Sequence, residues 1–253
     1  MKVGDFDVAR IGLGTNRLTR TRDNVALIKA AVAAGVQMID TAYSYTGGQS
    51  EETIGEALSP FPDGCIVATK GGGGPSAGRG RPDVLRAQIE ESLRRLRTGT
   101  IPMYYLHRVD PATPLEESLG PIKEFRDQGK TQLVGVSEVS IDQIERARKV
   151  VPIAAVQNHY NLSERKWDAV VDYCTREGIV FVPFFPLRGN AGGAVRVIAE
   201  RRRVTPQQIM LAWLLRRSPA MLPIPGTLEL EHLKENLAAS TIQLTDAEFE
   251  ALR

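Results

Sequence analysis

The sequence predicts a closed (β/α)8 TIM barrel, and three observations carry that expectation. Short apolar runs alternate with amphipathic stretches along the whole chain. Eight such strand–helix units fit into 253 residues, and about 250 residues is the usual size of one eight-stranded barrel. The rival doubly wound sheet calls for a glycine fingerprint after its first strand, and Gly12-Leu13-Gly14-Thr15 supplies the first two glycines without the third.

The strand-like runs, in order, are Val8–Leu13, Gln37–Asp40, Cys65–Lys70, Met103–His107, Leu133–Ser137, Ala154–Gln157, Val180–Pro183 and Met221–Pro225. A helical pattern follows each. Leu85, Ile89, Leu93 and Leu96 recur at helical spacing, as do Leu115, Leu119, Ile122 and Phe125, and later Leu230, Leu233 and Leu237. Thr113–Glu116, Thr205–Gln208 and Thr245–Glu248 read as capping boxes, the first two with proline at the first helical position. Gly35, Gly129 and Gly178 fall between a helix and the next strand, where a left-handed cap suits glycine. No linker-like tract divides the chain, so residues 1–253 are expected to form a single domain. The glycine-rich segment 71–80 follows a strand directly and reads as a loop at the active face. It lacks the Gly-Lys-Ser/Thr ending of a phosphate-binding loop.

Composition narrows the function classes. With 42% hydrophobic and 25% charged residues the chain suits an ordinary globular protein. A net charge of +2 gives no strong pull toward nucleic acid or an anionic membrane. The one basic run, Arg201–Arg203, reads as a solvated helix end. No apolar stretch approaches the ~20 residues of a membrane span, and the N-terminus has no apolar signal region. Cys65 and Cys174 lie in apolar segments and read as buried, reduced thiols, so a cytoplasmic location is expected. The three histidines are far apart and give no metal-ligand spacing, so no metal is expected. Trp167 and Trp213 fall on apolar helical faces and read as core.

Four polar residues stand where apolar strand-like runs end: Asp40, Tyr45 shortly beyond it, Lys70 and His107. In a parallel barrel, catalysis is placed at such ends. A phenol is a weak acid at neutral pH, a nearby ammonium favours its ionised form, and a carboxylate can hold the ammonium in place. Tyr45, Lys70 and Asp40 could form that chain, with His107 donating a hydrogen bond to a substrate oxygen. Singly, each has an ordinary explanation: a loop tyrosine, a helix cap, a surface lysine, a satisfied histidine. A lysine closing a run as apolar as Ile66–Thr69 resists that explanation, because a buried ammonium is costly without a partner.

In these runs the chain resembles an aldo-keto reductase, from about Arg10 to the C-terminus. The resemblance is carried by Ile39–Tyr45, Ala68–Lys70, Leu106–Asp110, Gly135–Ser137, Val156–Asn158, Phe184–Leu187, Ile224–Thr227 and His232–Asn236 in their joint order. It implies a (β/α)8 barrel that reduces aldehydes and ketones with NADPH, its catalytic tetrad on Asp40, Tyr45, Lys70 and His107. It further implies that Ser137 and Gln157 hold the nicotinamide carboxamide and that Phe184 stacks on the nicotinamide ring. Gly14 and Thr15 would approach the nicotinamide ribose, and Leu187, Arg188, Gly189 and Asn190 the pyrophosphate. Thr227 and the helix that follows would meet the adenosine 2′-phosphate, beside Gly226, with Glu235 and Asn236 at the adenine, and Asp40, Pro186 and Ile224 would be further cofactor contacts.

The sequence departs from the family pattern in several places. Gly226 and His232 stand where many members carry a lysine and an arginine, so NADPH is the expected cofactor with NADH use open. His232 is a phosphate contact or a plain surface residue. Glu138 replaces a frequent asparagine beside the nicotinamide, and Thr46 replaces a glycine after Tyr45. His159 reads as a loop residue behind the site. The segments Arg17–Asp23 and Gly71–Arg81 are short, and the N-terminal hairpin looks curtailed, which implies an open pocket or one completed by another subunit. The expected partner is a small carbonyl substrate, with the chain a monomer or small homo-oligomer. Two other classes share the resemblance: a nicotinamide-binding regulatory protein with little turnover, and a non-redox acid–base enzyme using the same tetrad.

Overall fold

Side chains alternate between two apolar layers along each strand of this protein. The computed structural model describes residues 1–74, 76–189 and 192–252. A two-stranded antiparallel hairpin, β1 (Lys2–Val3) and β2 (Phe6–Asp7), covers one end of the barrel. The parallel sheet then runs in sequence order: β3 (Leu13–Gly14), β4 (Met38–Asp40), β5 (Ile66–Gly71), β6 (Ile101–Leu106), β7 (Thr131–Ser137), β8 (Ala155–Gln157) and β9 (Val180–Phe181).

Helices α1 (Arg22–Ala33), α2 (Gln49–Leu58), α3 (Pro82–Arg95), α4 (Leu115–Asp127), α5 (Ile141–Val150) and α6 (Asp168–Glu177) fill the crossovers. After β9 come α7 (Gly193–Arg202), α8 (Pro206–Arg217), α9 (Leu230–Ala238) and α10 (Asp246–Ala251).

The eighth strand expected over Met221–Pro225 is thinner than its apolar run suggests. It joins the sheet through the isolated parallel bridges Phe181–Met221 and Gly14–Gly226. Gly12 N–H donates to Pro223 O at 3.0 Å and Gly14 N–H to Pro225 O at 3.1 Å, which closes the barrel against β3. Pro223 and Pro225 have no N–H to return, so a full ladder cannot form. The first strand also shrinks, from Val8–Leu13 to Leu13–Gly14.

Caps follow the sequence in part. Thr205 and Thr245 form complete capping boxes with Gln208 and Glu248, and Ser140 with Gln143 makes a further one. Thr113 does not cap α4. Its hydroxyl donates to Asp110 Oδ2, and Pro114 takes the N-cap position. Gly35, Gly129 and Gly178 all adopt the left-handed conformation.

The period-two alternation of strands separates the layers. Met38, Ile66, Ala68, Met103, Tyr105, Ala155, Leu222 and Ile224 fill the barrel interior. Ile39, Val67, Tyr104, Val134, Val136 and Val156 point outward to the helices. Gly135 is required by this packing, since a Cβ there would lie 2.3 Å from the ring of buried Tyr105. Trp213 is fully buried, stacked between Tyr160 and Phe249, whereas Trp167 is only partly buried at the start of α6.

Candidate active site

The same alternation that builds the interior delivers polar groups to its C-terminal end. On β4, Met38 and Asp40 share the inward face. On β5 that face carries Ile66, Ala68 and Lys70; on β7, Leu133, Gly135 and Ser137; on β8, Ala155 and Gln157. Asp40 pairs in register with Ala68, Lys70 with Tyr105, and Ser137 with Gln157. Each of these four strands therefore ends with its last inward position polar, one layer above an apolar floor. His107, one step past β6, continues the inward series of Met103 and Tyr105.

Lys70 is the centre of the cluster. It is fully buried, and its Nζ donates to Asp40 Oδ1 at 2.6 Å, to Thr41 O at 2.6 Å and to Tyr45 Oη at 3.4 Å. All three ammonium protons are thus directed. The second Asp40 oxygen accepts from Gln157 Nε2 at 2.8 Å. Burial opposes the Lys70 charge, but Asp40 and Tyr45 outweigh it and its pKa is raised. Lys70 is therefore an ammonium at neutral pH. Burial acts in the opposite sense on His107, and the positive charges of Lys70 and Arg108 add to it, so the imidazole pKa lies well below its ordinary value and the ring is neutral.

His107 packs edge-on to Tyr45, with ring centres 5.9 Å apart. Its Nδ1 is buried against the loop after β5, where a Cβ on Gly73 would lie only 2.3 Å away. That side of the ring is sealed, which leaves Nε2 to serve the cavity. The cavity, about 200 Å³, is lined by Tyr45, His107, Asp40, Gln157, Phe184 and Arg108 among others.

The loop that carries Tyr45 is tied down by Thr46 and by two residues, Arg95 and Glu51, that sequence reasoning did not single out. Thr46 adopts a left-handed φ of 48°, where glycine would be easier, and its hydroxyl donates to Leu18 O at 2.7 Å. Arg95 of α3 donates to Tyr43 O at 2.9 Å, lies over the Tyr43 ring, and bonds the buried Glu51 carboxylate of α2 at 3.2 Å. Glu51 also accepts from Thr69, the neighbour of Lys70 on β5. One ion pair therefore braces the tyrosine loop, α2 and the lysine strand. An acidic residue in the first turn of α2 was the available signal, but such residues are ordinarily solvated.

A groove leads away from the tetrad. The cavity beside Tyr45 and His107 shares Gly14, Thr15, Asn16 and Gly226 with a small cleft, which shares Arg17, Gly226, Thr227 and Leu228 with a second cavity of about 470 Å³. Leu187, His232, Glu235 and Asn236 line the far end. Most of the residues expected to hold a dinucleotide thus lie along one continuous path. Ser137 accepts from Arg108, and Phe184 turns one face to the cavity while His159 stacks behind it at 5.3 Å. Pro186 and Ile224 line the cavity beside Tyr45 and His107.

Some expected contacts lie differently. Glu138, at a left-handed φ of 54°, directs a carboxylate oxygen to His159 N–H at 2.6 Å and does not line the cavity. Arg188 stands over the Phe185 ring, and Gly189 has a φ of 112°. Asn190 lies outside the described residues. At the far end α9 begins without a side-chain cap, leaving backbone N–H groups free for an anion. His232 Nδ1 is 3.5 Å from Glu229. Arg17 also lines this cavity and pairs with none of the described residues, a cation that sequence reasoning read only as part of a short loop. The residues present fit an extended nicotinamide dinucleotide: an aromatic face and amide near the tetrad, a glycine-lined waist, and an uncapped helix with a cation at the end.

Among the described residues no cluster of His, Cys, Asp and Glu is arranged to hold a metal, and no helix is long and apolar enough to cross a membrane.

Comparison with known proteins places this geometry in context. The model of the aldo/keto reductase family matches residues 10–253. An uncharacterized oxidoreductase of Schizosaccharomyces pombe is 38% identical, over 100% of this chain and 88% of its own length. Pyridoxine 4-dehydrogenase of Escherichia coli is 34% identical, over 96% of this chain and 93% of its own. The crystal structure of a thermostable aldo-keto reductase with the inhibitor epalrestat has a TM-score of 0.88 at 32% identity, over 97% of this chain and 94% of that one. An aldo-keto reductase from Klebsiella pneumoniae, solved with NADPH, has a TM-score of 0.87 at 28% identity, over 97% and 90% of the two chains.

Proposed function

The chain belongs to the aldo/keto reductase family, and from that premise we propose that it reduces aldehydes or ketones to alcohols with NADPH. The observation that supports this most directly is buried Lys70, its three donors spread over Asp40, Thr41 O and Tyr45 Oη beside a cavity that Asp40 and Tyr45 line. In this reading Ser137 and Gln157 hold the carboxamide, and Phe184 offers a face to the ring. Bound there, the reduced nicotinamide supplies a hydride to the carbonyl carbon.

The protein's own residues do the rest. The substrate oxygen sits between Tyr45 Oη and the neutral His107, whose N–H orients it. Tyr45 gives its proton to that oxygen as negative charge develops. The Lys70 ammonium stabilises the phenolate left behind, and Asp40 keeps the ammonium in place. A neutral imidazole at His107 contributes a hydrogen bond without adding a second cation beside Lys70.

NADPH is favoured over NADH by the far cavity. Arg17 supplies the cation that Gly226 cannot, and the uncapped start of α9 faces the same space. The structure of a Klebsiella pneumoniae relative with NADP and acetate is consistent with that choice. Cys65 and Cys174 are both free and buried, which suits a reducing, cytoplasmic compartment.

The test is nicotinamide oxidation with a panel of aldehydes and ketones, NADPH and NADH in parallel. Pyridoxal belongs in the panel, as the aldehyde counterpart of the substrate named for the Escherichia coli relative. Tyr45→Phe should lower kcat by about 10²–10⁴ while leaving the NADPH dissociation constant nearly unchanged. Turnover indifferent to Tyr45→Phe, or none with either nucleotide, would overturn the proposal.

A further inference from the structure

We propose that Arg108 makes this pocket selective for carbonyl substrates that carry a carboxylate, bound through the free edge of its guanidinium. The inference rests on the reductase reading above and adds a substrate class to it.

Arg108 follows His107 directly and is half-buried. It lines the catalytic cavity with Tyr45 and His107. One nitrogen, Nη1, is fully used: it donates to His107 O at 2.7 Å and to Ser137 Oγ at 2.9 Å. The guanidinium carbon lies 5.4 Å from the centre of the Phe184 ring, which lines the same cavity. The guanidinium is therefore fixed along one edge, while the other edge, Nε and Nη2, has no partner among the described residues. That edge presents two parallel N–H donors in the fork that a carboxylate accepts in bidentate fashion.

The charges around the cavity point the same way. Lys70 and Asp40 cancel, His107 is neutral, and Asp40, the one carboxylate among the described lining residues, is already held by Lys70 and Gln157. Arg108 is left as the uncompensated charge, partly removed from water, one residue from the group that orients the carbonyl. An arginine held by neutral acceptors alone has no internal ion pair to give up when an anion arrives. A carboxylate a few atoms from the carbonyl would engage it while the oxygen reaches Tyr45 and His107.

Two measurements separate this proposal from the reading beneath it. In calorimetric titration of the protein without nucleotide, benzoate should bind the parent at least about tenfold more tightly than Arg108→Met, as loss of a charged hydrogen-bond pair implies. Benzamide should not distinguish them. Arg108→Lys, which keeps the charge but not the fork, should recover only part of the affinity. Arg108→Gln serves where the methionine variant does not fold. In turnover, the ratio of kcat/KM for 4-carboxybenzaldehyde to that for 4-methylbenzaldehyde should fall at least about tenfold in Arg108→Met.

Equal benzoate affinity in parent and variant, or an unchanged substrate ratio in an active enzyme, overturns the proposal and leaves the reductase reading standing. Arg108-dependent benzoate binding with no reduction of any carbonyl overturns the reductase reading and keeps the anion site. A variant that loses NADPH affinity, read by fluorescence quenching, with the substrate ratio intact would assign Arg108 to the cofactor instead.

Discussion

Replacement of Lys70 by methionine tests the centre of the site through stability as well as chemistry. Lys70 is wholly buried and Asp40 is 2% exposed, with 2.6 Å between Nζ and Oδ1. In Lys70→Met the Asp40 carboxylate keeps one hydrogen bond, from Gln157, and loses its counter-ion in a site closed to water. Removing one partner of such a buried pair costs about 3–5 kcal/mol. For a chain of this size each kcal/mol moves the midpoint by roughly 2–4 °C, so Tm should fall by about 6–20 °C. Asp40→Asn in the same background removes the stranded charge and keeps an acceptor for Gln157, so the double variant should recover most of the loss.

The pH dependence of that loss has a definite sign. Burial already raises the Asp40 carboxyl above its ordinary pKa, and without Lys70 only the Gln157 hydrogen bond is left to oppose that shift. A carboxyl raised in the folded state contributes its stability below the unfolded pKa and loses it as pH rises through the folded one. Lys70→Met should therefore be least destabilised under mildly acidic conditions and increasingly so toward neutral pH. The assay is thermal unfolding followed by circular dichroism at several pH values, for parent, single and double variants. A single variant as stable as the parent at neutral pH, or a double variant no better than the single, would refute the argument. In turnover, Lys70→Met and Tyr45→Phe should be far from additive, because the ammonium acts through the phenol.

Other expectations follow from the same geometry. The pKa of His107 is lowered well below 6.5, so the stability it lends is present above the unfolded value and lost as pH falls toward the folded one; His107→Gln should flatten the acid side of a urea-midpoint profile below about pH 6.5, and an unchanged profile would count against a neutral, buried ring. Arg95→Met strands the buried Glu51 carboxylate and frees Tyr43 O, so it should cost about 3–5 kcal/mol in urea unfolding and lower kcat more than it raises KM, with Glu51→Gln restoring stability but not the loop. Arg17→Glu should weaken NADPH at least about tenfold while changing NADH little, as expected for losing a charge-assisted phosphate contact; equal effects on both nucleotides would remove Arg17 from the 2′-phosphate site.

How much of this was legible in the sequence depends on how local each cause is. Asp40, Lys70, Ser137 and Gln157 could be read because a strand fixes its own alternation, and a polar residue in phase with Met38 or Ala68 must face the interior whatever its neighbours do. The eighth strand was legible as an apolar run but not as a ladder, although Pro223 and Pro225 were visible. Thr113 failed as a cap for a non-local reason, since its hydroxyl is taken by Asp110. The brace made by Glu51, Arg95 and Tyr43 joins residues up to 52 apart in sequence, and each looks like a surface residue until the helices that carry them are docked. Arg108 is the sharpest case. In sequence it is one basic residue in Leu106–Asp110, matched by abundant acidic residues elsewhere. Its distinction is that none of those acidic groups among the described residues reaches it. A missing partner leaves no mark on a local pattern, so the residues proposed to carry the chemistry were legible here, whereas the one proposed to set selectivity emerged only once every neighbour had a position.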